Sequence, residues 1–122
     1  MAAGALNGIK VVELAGIGPG PCAGMMLADM GAQVTVIDRP VPDKEAAAVF
    51  AKYAIFNRGK KSVALNLKDP DAVEALLRII DGADVLIEGF RPGVMERLGL
   101  GPEVCCARNP KLVYGRMTGW GQ

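Results

Sequence analysis

The stretch KVVELAGIGPGPCAGMMLADMGAQVTVIDRP, from Lys10 to Pro40, leaves this chain little choice of fold. Val11, Val12 and Leu14 form a short apolar run that stops at Ala15-Gly16, and residues 34–37 form another that stops at Asp38-Arg39-Pro40. Both read as buried parallel strands. Between them Pro21 suits a first helical position and Gly31 a helix end, with Cys22, Met25, Met26 and Met30 available to one face. A right-handed crossover then makes one βαβ unit. In such a unit the turn after the first strand and the end of the second share the sheet edge where open α/β folds bind ligands. Function is expected to gather around residues 16–20 and 38–40.

The rest of the chain repeats the alternation. Asp43 opens a thin helical pattern through residues 46–51, read as a surface excursion. Asn57-Arg58-Gly59-Lys60-Lys61 reads as a turn with three solvated cations, followed by alternating Val63, Leu65 and Leu67, a short strand. Asp69-Pro70 supplies an N-cap and a first-turn proline, and Val73, Leu76, Leu77 and Ile80 keep helical spacing up to the stop at Asp81-Gly82. Residues 85–87 make the next strand, residues 94–98 and 102–108 two short helices, and residues 112–114 a last strand. Four or five mainly parallel strands with helices on both faces give a Rossmann-like α/β sheet. No internal repeat or linker divides it.

Composition narrows the function. A net charge of +1 argues against nucleic-acid binding, which needs a concentrated basic excess, and no apolar run approaches the ~18 residues of a membrane span. The opening MAAGALNGIK lacks the pattern of a signal peptide. Cys22, Cys105 and Cys106 are an odd count without CxxC spacing and read as free thiols, which suits the cytoplasm. There is no histidine, so the commonest metal ligand and the commonest general base are both missing; neither a metal site nor a catalytic residue is assigned.

Gly18-Pro19-Gly20-Pro21-Cys22-Ala23 fits G-x-G-x-x-A, with Asp38 at the distance a dinucleotide fingerprint requires. Pro19 and Pro21, however, have no N–H to offer a pyrophosphate, which weighs against NAD. Gly59-Lys60-Lys61-Ser62 is like the end of a phosphate loop but lacks the earlier glycine. Arg39, Arg58, Lys60, Lys61, Lys68, Arg91 and Arg97 all fall in or near connecting segments, and cations converging on one sheet edge would suit a polyanion.

The segments VVELAGIGPGP, LADMGAQVTVIDRP, NRGKKSVALNLK, DVLIEGFRPGVMERLGLGPE and NPKLVYGRMTGWGQ, in that order, resemble the amino-terminal part of the family III CoA-transferase and racemase group. The AGIGPGP turn and the IDRP ending are closer to the racemase branch. The resemblance implies a large CoA-binding domain of which residues 1–122 are the amino-terminal part, an acyl-CoA thioester as partner with CoA as the carrier part of the substrate rather than a separate cofactor, and a homodimer at full length. It matches Arg39 to an arginine beside the CoA adenine, Leu65, Asn66, Leu67 and Lys68 to the segment lining the nucleotide end, and Arg91 and Arg97 to arginines that meet its phosphates. Asn66 departs from the aspartate more usual there. For Arg97 an ion pair with Glu96 or Glu103 is an equal alternative.

In the racemase branch the implied reaction is epimerisation of the α-carbon of a 2-methylacyl-CoA by proton removal and return. The two groups that flank that carbon, a histidine and an aspartate, belong to sequence beyond a motif matching residues 118–122. The alternatives are a transferase that moves CoA between carboxylic acids, or a non-catalytic CoA-binding piece. Asp29, Asp38, Asp69, Asp71, Asp81 and Asp84 read as caps, turn residues or strand ends.

Overall fold

The computed structural model describes residues 4–40 and 54–121. Its elements are β1 (Lys10–Leu14), α1 (Pro19–Asp29), β2 (Gln33–Asp38), a single 3-10 turn (Ile55–Asn57), β3 (Lys61–Ala64), α2 (Pro70–Asp81), β4 (Val85–Glu88), α3 (Val94–Arg97), α4 (Pro102–Arg108) and β5 (Val113–Arg116). The five strands form one sheet in the order β3-β2-β1-β4-β5. Every pairing is parallel. The α/β reading with a parallel sheet therefore holds, while the stretch from Asp43 read as a surface excursion lies outside the described residues.

The pleat sorts the strands into two faces. Val12, Leu14, Ile37 and Leu86 point to one side and bury against Leu76, Leu77 and Ile80 of α2, Met95 of α3 and Cys105 of α4. Val11, Val34 and Ile87 point to the other and pack against Leu27 and Ala28 of α1. Helices thus cover both faces. At the far end of the α1 face Val113 of β5 is exposed. Among the described residues no helix is long and apolar enough to cross a membrane.

Local chemistry explains the helix that matched best. Asp69 caps α2 by accepting from the amide of Asp71 at 3.0 Å, and Pro70 occupies a position with no intrahelical donor to lose. Cys105 is fully buried, donates to the Leu100 carbonyl at 3.3 Å, and its thiol is pushed up to about 11 by burial. It is a small core residue with no reactive thiolate at neutral pH.

Several boundaries, and the buried face of α1, differ from the sequence reading. Helix α1 opens at Pro19, not Pro21, because Gly18 at φ 77° makes the turn that only glycine enters without strain. The face it buries is not the methionine face: Gly20, Pro21 and Gly24 are buried, whereas Met26 and Met30 are 54% and 42% exposed. At Gly24 there is no room for a side chain, since a Cβ there would meet the Glu13 carboxylate. Strand β3 ends at Ala64, so Leu65 and Leu67 are not strand residues; the Leu65 amide still donates to the Asp38 carbonyl at 2.9 Å, after which Asn66 turns the chain. Strand β5 runs on to Arg116, one turn of pleat further than the apolar residues alone indicate.

Candidate functional site

All five strands are parallel, so their carboxyl ends, and the loops that follow them, line one edge of the sheet. Residues 15–18 follow β1, Arg39 follows β2, Leu65 to Lys68 follow β3, residues 89–93 follow β4, and residues 117–121 follow β5. Arg39 and the segment of Leu65, Asn66, Leu67 and Lys68 stand on neighbouring strands, since Asp38 pairs with Ala64. Arg91 follows β4, two strands away from β2 beyond β1, and Arg97 is the last residue of α3.

Arg39, Lys68, Arg91 and Arg97 are exposed. Among the described residues none of the four has an ion-pair partner. The amide of Arg39 donates to its neighbour Asp38 Oδ1 at 2.7 Å. Asn66 Oδ1 accepts from the Lys68 amide at 3.3 Å and the Asn66 carbonyl accepts from Asp69 at 2.8 Å, so this residue shapes the turn. Leu65 and Leu67 lie against the larger core. The alternative for Arg97 is not realised with Glu96, whose partner is Arg116. Uncompensated cations at the mouth of a sheet are suited to an anion with several charges.

Two of the seven cations of the connecting segments do other work. Arg58 pairs with Asp29 at 2.6 Å and ties the 3-10 turn to α1. That arginine holds the Asp29 carboxyl below the usual carboxylate range. Lys60 is a correction to the reading of a solvated turn: its side chain is 1% exposed and its ammonium lies 2.7 Å from Glu13 Oε2, itself 1% exposed. The same ammonium donates to the Pro21 carbonyl at 2.8 Å. Burial pushes the Glu13 carboxyl above its ordinary range, against the pull of Lys60. Gly24 makes the pair possible, because a Cβ at that position would sit 1.9 Å from Glu13 Oε2.

A cavity of about 140 Å³ lies beside this pair, bordered by Glu13, Gly16, Asp38, Asn57, Lys61 and Ser62. Pro21 in the first turn of α1 and Val36 of β2 also line it. Sequence reasoning missed Glu13, Gly24 and the role of Lys60. The available signal was a lone acid inside the run VVEL: a charge in a doubly buried strand demands a cation, and the chain had to bring one from elsewhere. Among the described residues no group of three His, Cys, Asp or Glu side chains is placed to hold a metal ion.

Comparison with known proteins gives the geometry a context. A family model described as CoA-transferase family III matches residues 6–122. The chain is 47% identical over 118 residues to the alpha-methylacyl-CoA racemase of Homo sapiens, covering 97% of this chain and 29% of that protein. It is 39% identical over 127 residues to a probable fatty acyl-CoA transferase of Mycobacterium tuberculosis, covering 95% of this chain and 32% of that one. A crystal structure of the Mycobacterium tuberculosis protein Rv3272 superposes with a TM-score of 0.88 at 42% identity, covering 98% of this chain and 34% of the other. The chain spans about a third of the length of each.

Proposed function

The chain belongs to CoA-transferase family III, and on that premise we propose that its sheet edge binds the nucleotide end of an acyl-CoA, as the amino-terminal part of an enzyme of the racemase branch. One observation carries the reading: Arg39 and Arg91 follow β2 and β4 at the carboxyl edge of a parallel sheet and Arg97 ends the short helix after β4, none of them with an ion-pair partner among the described residues. Arg39 offers a planar cation that stacks on adenine, Leu65 to Lys68 offer backbone and apolar surface beside it, and Arg91 and Arg97 offer bidentate donors to phosphates. CoA is here the carrier part of the substrate. The three cysteines are free, which suits a reducing compartment such as the cytoplasm.

The chemistry follows from the racemase branch. An α-proton beside a thioester carbonyl is removed and returned on opposite faces by two titratable groups. The 122 residues contain no histidine. Asp29 and Asp81 are engaged by arginines, Asp69 caps α2, and Asp84 accepts from the Lys10 amide at 2.8 Å. The 122-residue polypeptide alone is therefore expected to exchange no α-proton of a 2-methylacyl-CoA in deuterated water; exchange above the buffer rate would refute this. The second reading, a CoA transferase, is favoured by the name of the mycobacterial relative. A polypeptide of the relatives' full length that begins with this chain separates the two: inversion at the α-carbon without a carboxylate acceptor is racemase chemistry, and acceptor-dependent loss of CoA is transfer.

CoA affinity should depend on Arg39 more than on Lys61. Removing a stacked planar cation costs charge and contact, about tenfold in Kd, whereas an exposed lysine contributes a screened charge of roughly 0 to 1 kcal/mol. Trp120, fully exposed in the loop after β5, is a convenient fluorescent reporter for titrating Arg39→Ala and Lys61→Ala. Equal losses would count against the assigned geometry, and tighter binding of NADH than of CoA would favour a dinucleotide site.

A further inference from the structure

A buried acid ends β4, directly before the loop that carries Arg91. Glu88 has a side chain only 2% exposed and lies at the carboxyl edge of the sheet. A carboxylate there opposes a polyanion by its charge, so its place at this edge calls for a reason. Its two oxygens supply one. Oε2 accepts from the Phe90 amide at 2.8 Å, and Oε1 lies 3.2 Å from Nε of Arg116, the residue in register with Glu88 on β5.

The hydrogen bonds of the loop bracket Arg91. The amide of the residue before it is held by Glu88. The Arg91 carbonyl accepts from the Val94 amide at 3.1 Å, and Gly93 at φ 81° makes the turn into α3. The guanidinium that meets Glu88 also pairs through Nη2 with Glu96 of α3, so one cation joins the residue before the loop to the helix after it. The main chain of Glu88 is fixed as well, because its carbonyl accepts from the Met117 amide at 2.8 Å. Gly89 then passes close to Met117, where a Cβ would stand 3.6 Å from the Met117 Cβ. The backbone on both sides of Arg91 is thus tied down, while Arg91 itself is exposed and has no ion-pair partner among the described residues.

We infer that Glu88 is a positioning residue for the anion site: its carboxylate, held by Arg116, fixes the Phe90 amide and with it the backbone that presents Arg91. The ligand chemistry is a phosphate ester or pyrophosphate, and the inference rests on the reading above for Arg91 as the group that meets it. A loop already ordered loses less conformational entropy when a polyanion binds. The neighbouring Arg116 offsets the charge of Glu88, so the acid orders the loop without presenting a bare negative charge to the ligand.

Glu88→Gln tests this by the sign of its effect. Removing a negative charge from the edge would, by electrostatics alone, strengthen polyanion binding, whereas freeing the loop weakens it. The amide side chain has one oxygen for two donors, so either Phe90 or Arg116 loses its partner. Titrated with CoA and, separately, with inorganic tripolyphosphate at low ionic strength, Glu88→Gln should bind about tenfold more weakly, the scale of one hydrogen bond to a charged group. In an Arg91→Ala background the same substitution should bring no further loss, because the residue it positions is gone. A merely structural acid would weaken both backgrounds alike. Unchanged or raised affinity in Glu88→Gln, or an equal loss with and without Arg91, overturns the inference. The wild-type chain supplies a second measurement that survives a variant too unstable to fold: its Phe90 amide should be protected from hydrogen exchange by at least about tenfold, and exchange at the unprotected rate overturns the inference. Tripolyphosphate following the expected pattern while CoA does not bind discards the CoA reading and keeps the role of Glu88; a wild-type chain that binds neither discards both.

Discussion

Lys60→Met should lower the stability of the chain by about 3 to 5 kcal/mol at neutral pH, because it leaves the Glu13 carboxylate buried with no cation beside it. The double variant Glu13→Leu/Lys60→Met should recover much of that loss, since a buried pair replaced by apolar groups of similar volume is close to neutral. The pH dependence gives a second check. Glu13 titrates above its ordinary value in the folded chain, so between the unfolded and folded pKa the folded state binds more protons, and stability is lost as pH rises through that window. Without Lys60 the window extends upward. The deficit of Lys60→Met should therefore shrink as pH is lowered from 8 toward 5. Asp29, Glu74, Asp81 and Glu96 have the opposite sign: their arginine partners lower them, so their small contributions are present above the ordinary carboxylate range and fade as pH falls through the folded values. Urea midpoints of the three chains at several pH values test all of this. A loss below about 1 kcal/mol would make Lys60 no different from a surface cation.

The pair also shows where a sequence stops being readable. Strands β1, β2 and β4 were legible because each is an apolar run cut off by turn residues, and α2 because its cap, its proline and its apolar stripe agree. The parallel order followed from the alternation of strand and helix. Side-chain placement in the glycine-rich loop and the turn before β3 did not follow, because it depends on contacts between residues far apart in sequence. Lys60 looks like its neighbour Lys61, yet one is buried and the other exposed. The difference is set by Glu13, forty-seven residues earlier, and by the gap that Gly24 leaves for both. Methionines at helical spacing in α1 gave the wrong face for the same reason. Of the candidate site, the positions of Arg39, Leu65 to Lys68, Arg91 and Arg97 at strand ends and on α3 were legible from the chain order, whereas Arg116 was not: it reads as part of a loop but lies inside β5, where its pairing partner in register is Glu88.

Asn109 makes the same point with the second large effect. As Asn109-Pro110 it reads as a helix stop, and it does end α4. In the structure it is also 4% exposed, with Nδ2 donating to the carbonyls of Ile80 at 2.9 Å and Ala83 at 2.7 Å. These carbonyls belong to the end of α2 and the turn into β4, so one amide closes the connection that delivers Glu88 and Arg91 to the sheet edge. Asn109→Ala removes both donors and should cost about 2 to 3 kcal/mol, the range for leaving a buried acceptor poorly satisfied. Asn109→Asp keeps the shape and should cost more at neutral pH, because a carboxylate oxygen then faces two carbonyl oxygens. That mismatch raises the introduced carboxyl, so its charge cost is present above the folded pKa and is relieved as pH falls and a proton restores one donor. Chemical denaturation at pH 7.5 and pH 4.5 should therefore find the aspartate variant the less stable of the two at the higher pH and the difference narrowed or reversed at the lower. Equal stability of Asn109→Asp and the parent chain at pH 7.5 would mean that water reaches the Ile80 and Ala83 carbonyls, and that the bracket between α2 and β4 is not closed by this side chain.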